Sequence, residues 1–132
     1  MAWAGGAAAT LGVMKPAPGR DLCPRFHFAV ELIGRRWTGA IVSLLLQGPA
    51  RFAELRDGIP AITDAMLTER LRELEAEGVA AREVLPGAPV RVRYALTKKG
   101  RALGRVMTAI GDWSHAWLPA PKARAARKAP RR

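Results

Sequence analysis

The chain has 132 residues, of which 49% are apolar, and this length suits one compact domain with tails rather than two domains. Its 22 Lys and Arg residues against 11 Asp and Glu residues give a net charge of +11, which favours a polyanionic partner, nucleic acid before an anionic membrane surface. The single cysteine excludes a domain built on internal disulfides, and no stretch approaches the ~20 apolar residues that span a bilayer.

Residues 1–21 are predicted to form a flexible N-terminal arm, because glycine and proline residues between Gly5 and Gly19 interrupt any regular element. The arm lacks the basic start and the apolar block of a secretion signal, so we expect a cytoplasmic protein, associated with the nucleoid if DNA is its partner. A folded domain is predicted to follow over residues 22–118.

Two helices open this domain. Apolar residues at helical spacing from Phe26 to Ile33 predict a first helix, with Pro24 in its first turn and Gly34 at its end. A second helix, over about 37–47, is apolar almost throughout and must be largely buried. A short strand around Arg51 is predicted to follow it.

A predicted helix-turn-helix comes next. Residues 59–62 join a compact helix over 53–57 to a longer helix over 63–77, which has leucines at every third or fourth position as a buried stripe. This pattern fits either a core helix with a solvated face or a recognition helix whose N-terminal half meets base edges in a major groove. In the second case the candidate contacts are Thr63 (also the predicted N-cap), Asp64, Ala65, Met66, Thr68 and Glu69.

After Val79 apolar residues recur at every second position, which predicts a hairpin with strands over 81–85 and 90–96. Arg82, Arg91 and Arg93 lie on this hairpin, and the net charge rises from −1 over residues 23–80 to +5 over residues 81–118. Such arginines can simply keep an edge strand soluble, but next to a helix-turn-helix we favour a wing that contacts phosphates. The predicted fold is mainly α with a small β-hairpin wing, a winged helix-turn-helix.

The C-terminal part contains a helix and a tail. A final helix is predicted from Thr97 to about Leu118, with Trp113 and Trp117 on its apolar side. Residues 119–132 carry six basic residues and no acidic one. We expect a disordered basic tail that either adds non-specific DNA affinity or serves only solubility.

Several short motifs occur in a fixed order over about residues 22–118. They are Cys23-Pro24, Ile33-Gly34-Arg35-Arg36-Trp37-Thr38, Gly48-Pro49, Arg51-Phe52, Glu54-Leu55, Met66-Leu67-Thr68, Arg70-Leu71-Arg72, Leu74-Glu75, Gly78-Val79 with Arg82, Pro89-Val90-Arg91-Val92, Tyr94-Ala95-Leu96-Thr97 and Gly100-Arg101. In these motifs the chain resembles the HxlR family of bacterial regulators, which are related to the MarR-type winged-helix proteins.

The resemblance implies a homodimeric transcription repressor or activator, with a repressor favoured, whose first and last helices form the dimer interface. It implies that helix 63–77 reads the major groove of a pseudo-palindromic operator and that the wing, 82–93, lies on the backbone or minor groove. Arg70 and Arg72 cannot both face the groove, so one is expected to pair with an acid such as Glu54. The DNA-contact candidates by motif match are Arg51, Thr63, Met66, Thr68, Arg70, Arg72, Arg91 and Arg93, and Arg36 is a further candidate.

Three positions depart from the family pattern. Ala65 stands where members often carry a base and Glu69 where they often carry an amide, so the recognition helix is acidic. Arg93 replaces what is commonly an acid, which makes the wing more basic. We therefore expect affinity to depend on the wing and tail, with bases read by hydroxyl, apolar and acid-to-cytosine contacts.

Cys23 occupies the position at which some members of this family sense thiol-reactive compounds. A helix N-terminus with Arg20 and Arg25 nearby can stabilise a thiolate, although most free cysteines act as small apolar residues. We therefore expect either a regulator that responds to a small-molecule or electrophile effector, or a regulator that has no effector. Three tryptophans are expected in the core and dimer interface, or else in an effector pocket: Trp37, Trp113 and Trp117.

The sequence gives no indication of an enzyme, a cofactor or a metal site. His27 and His115 are far apart and lack a cluster of cysteines or carboxylates, and neither a phosphate-binding loop nor a nucleophile elbow occurs. The alternative to a sequence-specific regulator is an architectural protein that binds any duplex through its wing and tail. A membrane-surface protein is not favoured, because no basic amphipathic helix of the required kind occurs.

Overall fold

The computed structural model describes residues 19–121, so most of the predicted arm, 1–21, and most of the predicted tail, 119–132, lie outside the described residues. The chain divides into two compact units, one ending at Arg35 and the other beginning at Arg36. Within residues 19–121, no helix is both long and apolar enough to cross a membrane.

The first unit contains helix α1, Pro24–Ile33. The thiol of Cys23 caps its start by accepting the backbone N–H of Phe26 at 3.5 Å, and Gly34 ends it by donating its N–H to the carbonyl of Val30. No residue of α1 is buried within the chain, and Phe28 is an exposed apolar residue of this helix. The predicted bounds of this helix are confirmed.

The second unit combines helices with a three-stranded antiparallel sheet whose strand order is β1-β3-β2. The strands β2 and β3 form the predicted hairpin, and the two-residue β1 pairs with β3 through Ala50 opposite Tyr94. The predicted winged helix-turn-helix is confirmed. Its elements are α2 Thr38–Leu46, β1 Ala50–Arg51, α3 Phe52–Gly58, α4 Asp64–Ala76, β2 Ala80–Leu85, β3 Arg91–Leu96, α5 Lys98–Arg101 and α6 Gly104–Trp117.

One hydrophobic core holds these elements together, and α4 contributes its leucine stripe to it as predicted. Each of the three leucines is at most 1% exposed, so burial of each stabilises the fold by roughly 1.5–3 kcal/mol. The core residues are Ile41, Val42, Leu45, Leu55, Ile59, Ile62, Leu67, Leu71, Leu74, Val79, Ala80 and Leu96.

Both ends of α4 are capped by local hydrogen bonds. At the start, Thr63 Oγ1 accepts the N–H of Met66 at 3.1 Å, as the sequence predicts. At the end, Gly78 adopts φ +75°, a left-handed conformation that glycine tolerates, and its N–H bonds the carbonyl of Glu75. The N–H of Val79 then bonds the carbonyl of Leu74 at 2.8 Å, which completes a Schellman motif and directs the chain into β2.

The prediction of one continuous helix from Thr97 to Leu118 is wrong, because two helices occupy this segment. Thr97 caps only the short α5, where its Oγ1 accepts the N–H of Gly100 at 3.1 Å. The N–H of Leu103 then bonds the carbonyl of Gly100, a tighter turn than an α-helix makes, and α6 begins at Gly104. The break follows from tertiary packing, since Gly100 is buried directly against the carbonyl of Val79.

This close approach predicts that Gly100→Ala destabilises the protein. An added Cβ would overlap the Val79 carbonyl oxygen, a backbone atom that cannot move aside independently, at a cost of about 3 kcal/mol. Gly39→Ala in α2 is the matched control, because within residues 19–121 no atom beyond its chain neighbours and the α2 backbone lies within 4 Å of the added methyl position, and it should stabilise by up to about 1 kcal/mol. Urea unfolding of both variants measures the difference, and equal stabilities would contradict the packing described here.

Candidate nucleic-acid interface

The N-terminal half of α4 presents a face that is available to a ligand. Of the six residues predicted there, Thr63, Asp64, Ala65 and Glu69 are exposed, whereas Met66 and Thr68 are half-buried. Met66 also packs against the core, so only part of its side chain is accessible. The exposed surface offers hydroxyl, methyl and carboxylate groups, which can contact base edges and thymine methyls.

Asp64, the first residue of α4, has a cationic neighbour on the preceding helix. The guanidinium of Arg56 in α3 lies 3.5 Å from the Asp64 carboxylate and 3.5 Å from that of Asp57. This pair joins the two helices of the helix-turn-helix and offsets part of the negative charge at the start of α4. Sequence reasoning missed Arg56, since the two residues are eight positions apart on different helices and no periodicity relates them.

The prediction that Arg70 contacts DNA is corrected by the position of its side chain. It is only 7% exposed, and its Nε donates to the carbonyl of Arg36 at 2.9 Å. A second nitrogen donates to the Glu73 carboxylate at 3.0 Å and lies 3.7 Å from that of Glu69. The guanidinium is thus committed inside the protein, and its expected partner Glu54 instead accepts the N–H of Arg51 at the start of α3.

Arg72, the other arginine of that motif, is exposed and remains a candidate DNA contact. Arg36 is exposed as well, and its guanidinium stacks over the ring of Trp37, 4.5 Å from the ring centre. Trp37 itself packs against the core and precedes α2 in a left-handed conformation, φ +79°. Its predicted packing role therefore agrees with its position.

The predicted wing arginines are not equivalent. Arg82 and Arg91 are exposed on the hairpin. Arg93 faces Glu83 across the β2–β3 pair, and its Nε lies 2.7 Å from the Glu83 carboxylate. Arg51 is exposed on β1, directly opposite Arg93 in the sheet register. The extra basic charge at position 93 is consequently held by an acid, which the sequence pattern did not indicate.

The remaining predicted site residues belong to α6 or to the start of α1. Cys23 is half-buried at the start of α1, while Trp113 and Trp117 are exposed on α6. His115 bonds the carbonyl of Gly111 within α6 through Nδ1. In residues 19–121, no three His, Cys, Asp or Glu side chains are grouped closely enough to hold a metal ion.

Comparison with known proteins agrees with this geometry. A family model described as HxlR-like helix-turn-helix matches residues 32–122. The HTH-type transcriptional regulator YodB of Bacillus subtilis (strain 168) is 45% identical over 96 residues, which cover 73% of this chain and 86% of that protein. YvaP, an uncharacterized HTH-type transcriptional regulator of the same strain, is 44% identical over 98 residues, covering 74% and 91% of the two chains.

Solved structures show the same relationship. The reduced form of YodB from B. subtilis matches with a TM-score of 0.69 and 41% identity, covering 77% of this chain and all of that one (100%). The redox regulator HypR in its oxidized form matches with a TM-score of 0.68 and 36% identity, covering 73% and 99%. The family resemblance inferred from the sequence is confirmed.

The ion pair in the wing generates a prediction for Glu83→Gln. Removal of the carboxylate charge should free Arg93 for phosphates, so that affinity for any duplex rises and the slope of log K against log [salt] becomes steeper by about 0.9. Asp112→Asn, which changes the net charge equally at an exposed position of α6, is the control and should leave the slope unchanged. Fluorescence anisotropy across a salt series measures both variants; identical slopes for Glu83→Gln and the parent protein would contradict the prediction.

Proposed function

The chain belongs to the HxlR-like helix-turn-helix family of transcriptional regulators, and we propose that it acts as a homodimeric repressor on a pseudo-palindromic operator. The observation that carries the proposal is the one-sided burial of α4, which leaves residues of its N-terminal half exposed in a unit whose hairpin also exposes Arg82 and Arg91. Repression is proposed because occupation of a promoter requires no contact beyond DNA. With DNA as its partner, the protein would act in the cytoplasm, on the nucleoid.

In this proposal α4 lies in the major groove. Thr63, Ala65 and Thr68 offer hydroxyl and methyl groups to base edges, and Glu69 can accept a hydrogen bond from a cytosine amino group. The charge of Asp64 is partly offset by Arg56, and the exposed Arg72 is proposed to contact the DNA backbone at the groove edge. The helix therefore supplies discrimination between bases, and little of the attraction to phosphates comes from its own charge.

The wing supplies that attraction. Arg91 is exposed directly after the turn and Arg82 is exposed farther back on β2, opposite Tyr94, and a wing lies over the sugar-phosphate backbone or the minor groove. Arg36 and Arg51 are exposed cations of the same unit and remain candidate phosphate contacts. Each phosphate neutralised in this way releases counterions, so binding should weaken steeply with salt.

Dimerisation is proposed through α6. Its exposed apolar residues recur at spacings of four, three and four positions, the pattern of a helix seam that packs against a partner helix. Their exposed fractions rise from 37% at Val106 through 51% at Ile110 and 57% at Trp113 to 73% at Trp117. A two-fold dimer would present two copies of α4 to half-sites about 34 Å apart.

A thiol-dependent effector response is also proposed. Solved structures of YodB include a diamide-treated and a quinone-bound form, and HypR is described as a redox regulator. In this chain Cys23 is partly accessible and its sulfur caps α1. An electrophile added to that sulfur would remove the cap and place bulk at the start of the helix.

The dimer and its DNA preference are tested together with Ile110→Glu. The parent protein should sediment as a dimer and should bind its own upstream intergenic DNA about 10³-fold more tightly than a scrambled duplex. A charge in the α6 seam should give a monomer that loses this preference, because one half-site alone is bound. Sedimentation velocity and fluorescence anisotropy are the measurements.

Thr108→Glu, which adds the same charge at an exposed position on the opposite side of α6, is the matched control and should remain dimeric. A dimeric Ile110→Glu protein would contradict the proposed interface. Equal affinity of the parent protein for both duplexes would instead favour the architectural alternative.

The thiol response is tested with para-benzoquinone. The quinone-treated parent protein should carry an adduct at Cys23 and lose at least about tenfold in operator affinity, equivalent to about 1.4 kcal/mol. Cys23→Ser keeps an oxygen that can cap α1 and should bind DNA equally with and without quinone. Intact mass spectrometry and anisotropy check both points, and unchanged affinity in a fully modified parent protein would rule the response out.

A further inference from the structure

We propose that Arg70 is a positioning residue that sets DNA sequence discrimination without touching DNA. Its buried guanidinium fixes the rotation of α4 about the helix axis and its placement along that axis, and so determines which atoms of the exposed face meet base edges. This inference rests on the proposed function, because it assigns a cause to the specificity of the same surface.

The burial of Arg70 indicates that its charged group bonds to other groups inside the protein. Arginine is rarely buried without a partner, yet this residue lies within the leucine stripe, three positions after Leu67 and four before Leu74. It makes two directional hydrogen bonds there, to the Arg36 carbonyl at 2.9 Å and to the Glu73 carboxylate at 3.0 Å. The guanidinium thus links α4 to the segment that precedes α2.

The two hydrogen bonds of Arg70 restrict rotation and sliding of α4, which the buried leucines do not. Apolar burial is non-directional and depends on the area removed from water, so a leucine stripe holds α4 against the core while tolerating small rotations and slides. A hydrogen bond weakens steeply when its angle or length departs from the optimum. The bond from Arg70 to Arg36 joins residues 34 positions apart and therefore resists displacement of α4 relative to α2.

The acceptor of this bond is itself firmly held. The carbonyl of Arg36 belongs to the peptide that precedes Trp37, whose left-handed backbone is disfavoured for a bulky residue and persists only where the surroundings enforce it. Trp37 packs against the core, its ring lies under the Arg36 guanidinium, and its carbonyl accepts the N–H of Ile41 at 3.0 Å in the first turn of α2. The carbonyl of Arg36 is thus a fixed anchor for Arg70.

Arg70 also acts on the charge that faces DNA. Its guanidinium lies 3.7 Å from the Glu69 carboxylate, which is exposed beside the predicted base contacts. This attraction orients Glu69 and offsets its repulsion of phosphates. A single residue therefore couples the placement of α4 to the direction in which its acidic reading group points.

Arg70→Lys tests the inference. Lysine keeps the positive charge but carries one compact ammonium group, which cannot reproduce two hydrogen bonds made by separate nitrogens of a rigid fork. The probes are a duplex selected from a random library by the parent protein and a scrambled duplex of equal length. The ratio of the two dissociation constants should fall about tenfold, the value of one good base contact. Affinity for the scrambled duplex and its salt slope should stay unchanged.

The control is Arg105→Lys, the same substitution at an exposed position of α6, which should leave the ratio unchanged. Circular dichroism and thermal unfolding establish which variants are folded at the assay temperature. If Arg70→Lys does not fold, Glu73→Gln decides. The amide keeps one acceptor oxygen, lacks the negative charge and replaces the second oxygen with an NH2 group. It should lower the ratio roughly threefold, as loss of part of one charge-assisted bond. Glu75→Gln, on the same helix, is its control.

The outcomes separate the two proposals. A folded Arg70→Lys protein with the discrimination of the parent, or with equal losses on both duplexes, overturns the positioning role and leaves Arg70 a stabilising residue only. The positioning role is equally overturned if Arg70→Lys does not fold and Glu73→Gln keeps the parent ratio. A parent protein that selects no preferred duplex overturns the proposed function, and the inference with it.

Discussion

One-sided burial of α4 is the constraint on which the remaining structure depends. Because Leu67, Leu71 and Leu74 are fully buried, the opposite side of the helix must face solvent, and this side includes the candidate reading surface. The same helix sets the place of the wing, since the chain passes from its end through Gly78 directly into β2. Its last turn is also tied to α5, because Lys99 Nζ donates to the carbonyl of Glu77 at 2.6 Å. Reading helix and wing are therefore parts of one packed unit.

The reading helix and the wing differ in how their charges are arranged, and they have different proposed roles. Three of the four acids of the reading helix have arginine neighbours, Arg56 for Asp64 and Arg70 for Glu69 and Glu73, which reduces their repulsion of DNA. The exposed Arg56–Asp64 pair adds at most about 1 kcal/mol to stability, so its main effect is on the field that DNA meets. The wing instead exposes Arg82 and Arg91, and its third arginine is neutralised within the hairpin. In the proposed complex, α4 discriminates among bases and the wing holds the backbone.

Local patterns predicted most of the fold, whereas long-range contacts account for the errors. The N-cap of α4, its leucine stripe and the alternation in the hairpin are encoded within a few residues, and each was predicted correctly. The break between α5 and α6 was not predicted, because it depends on the close approach of Gly100 to Val79, which are distant in sequence. Arg70 was assigned to DNA on its charge and its motif, although its place between Leu67 and Leu74 in the helical repeat already indicated a buried side. The Glu83–Arg93 pair required the strand register, which only the structure supplies.

The central claim, that paired copies of α4 read two major-groove half-sites, is tested most directly by footprinting the full-length protein on its upstream intergenic DNA. Guanine methylation reports contact in the major groove, and hydroxyl-radical cleavage reports contact with the backbone. We expect two protected major-groove patches related by a two-fold axis and separated by one helical turn of about 10 base pairs, or a multiple of it. Backbone protection by the wings should accompany each patch. Uniform backbone protection without major-groove patches would contradict the account and identify a protein that binds DNA without reading it.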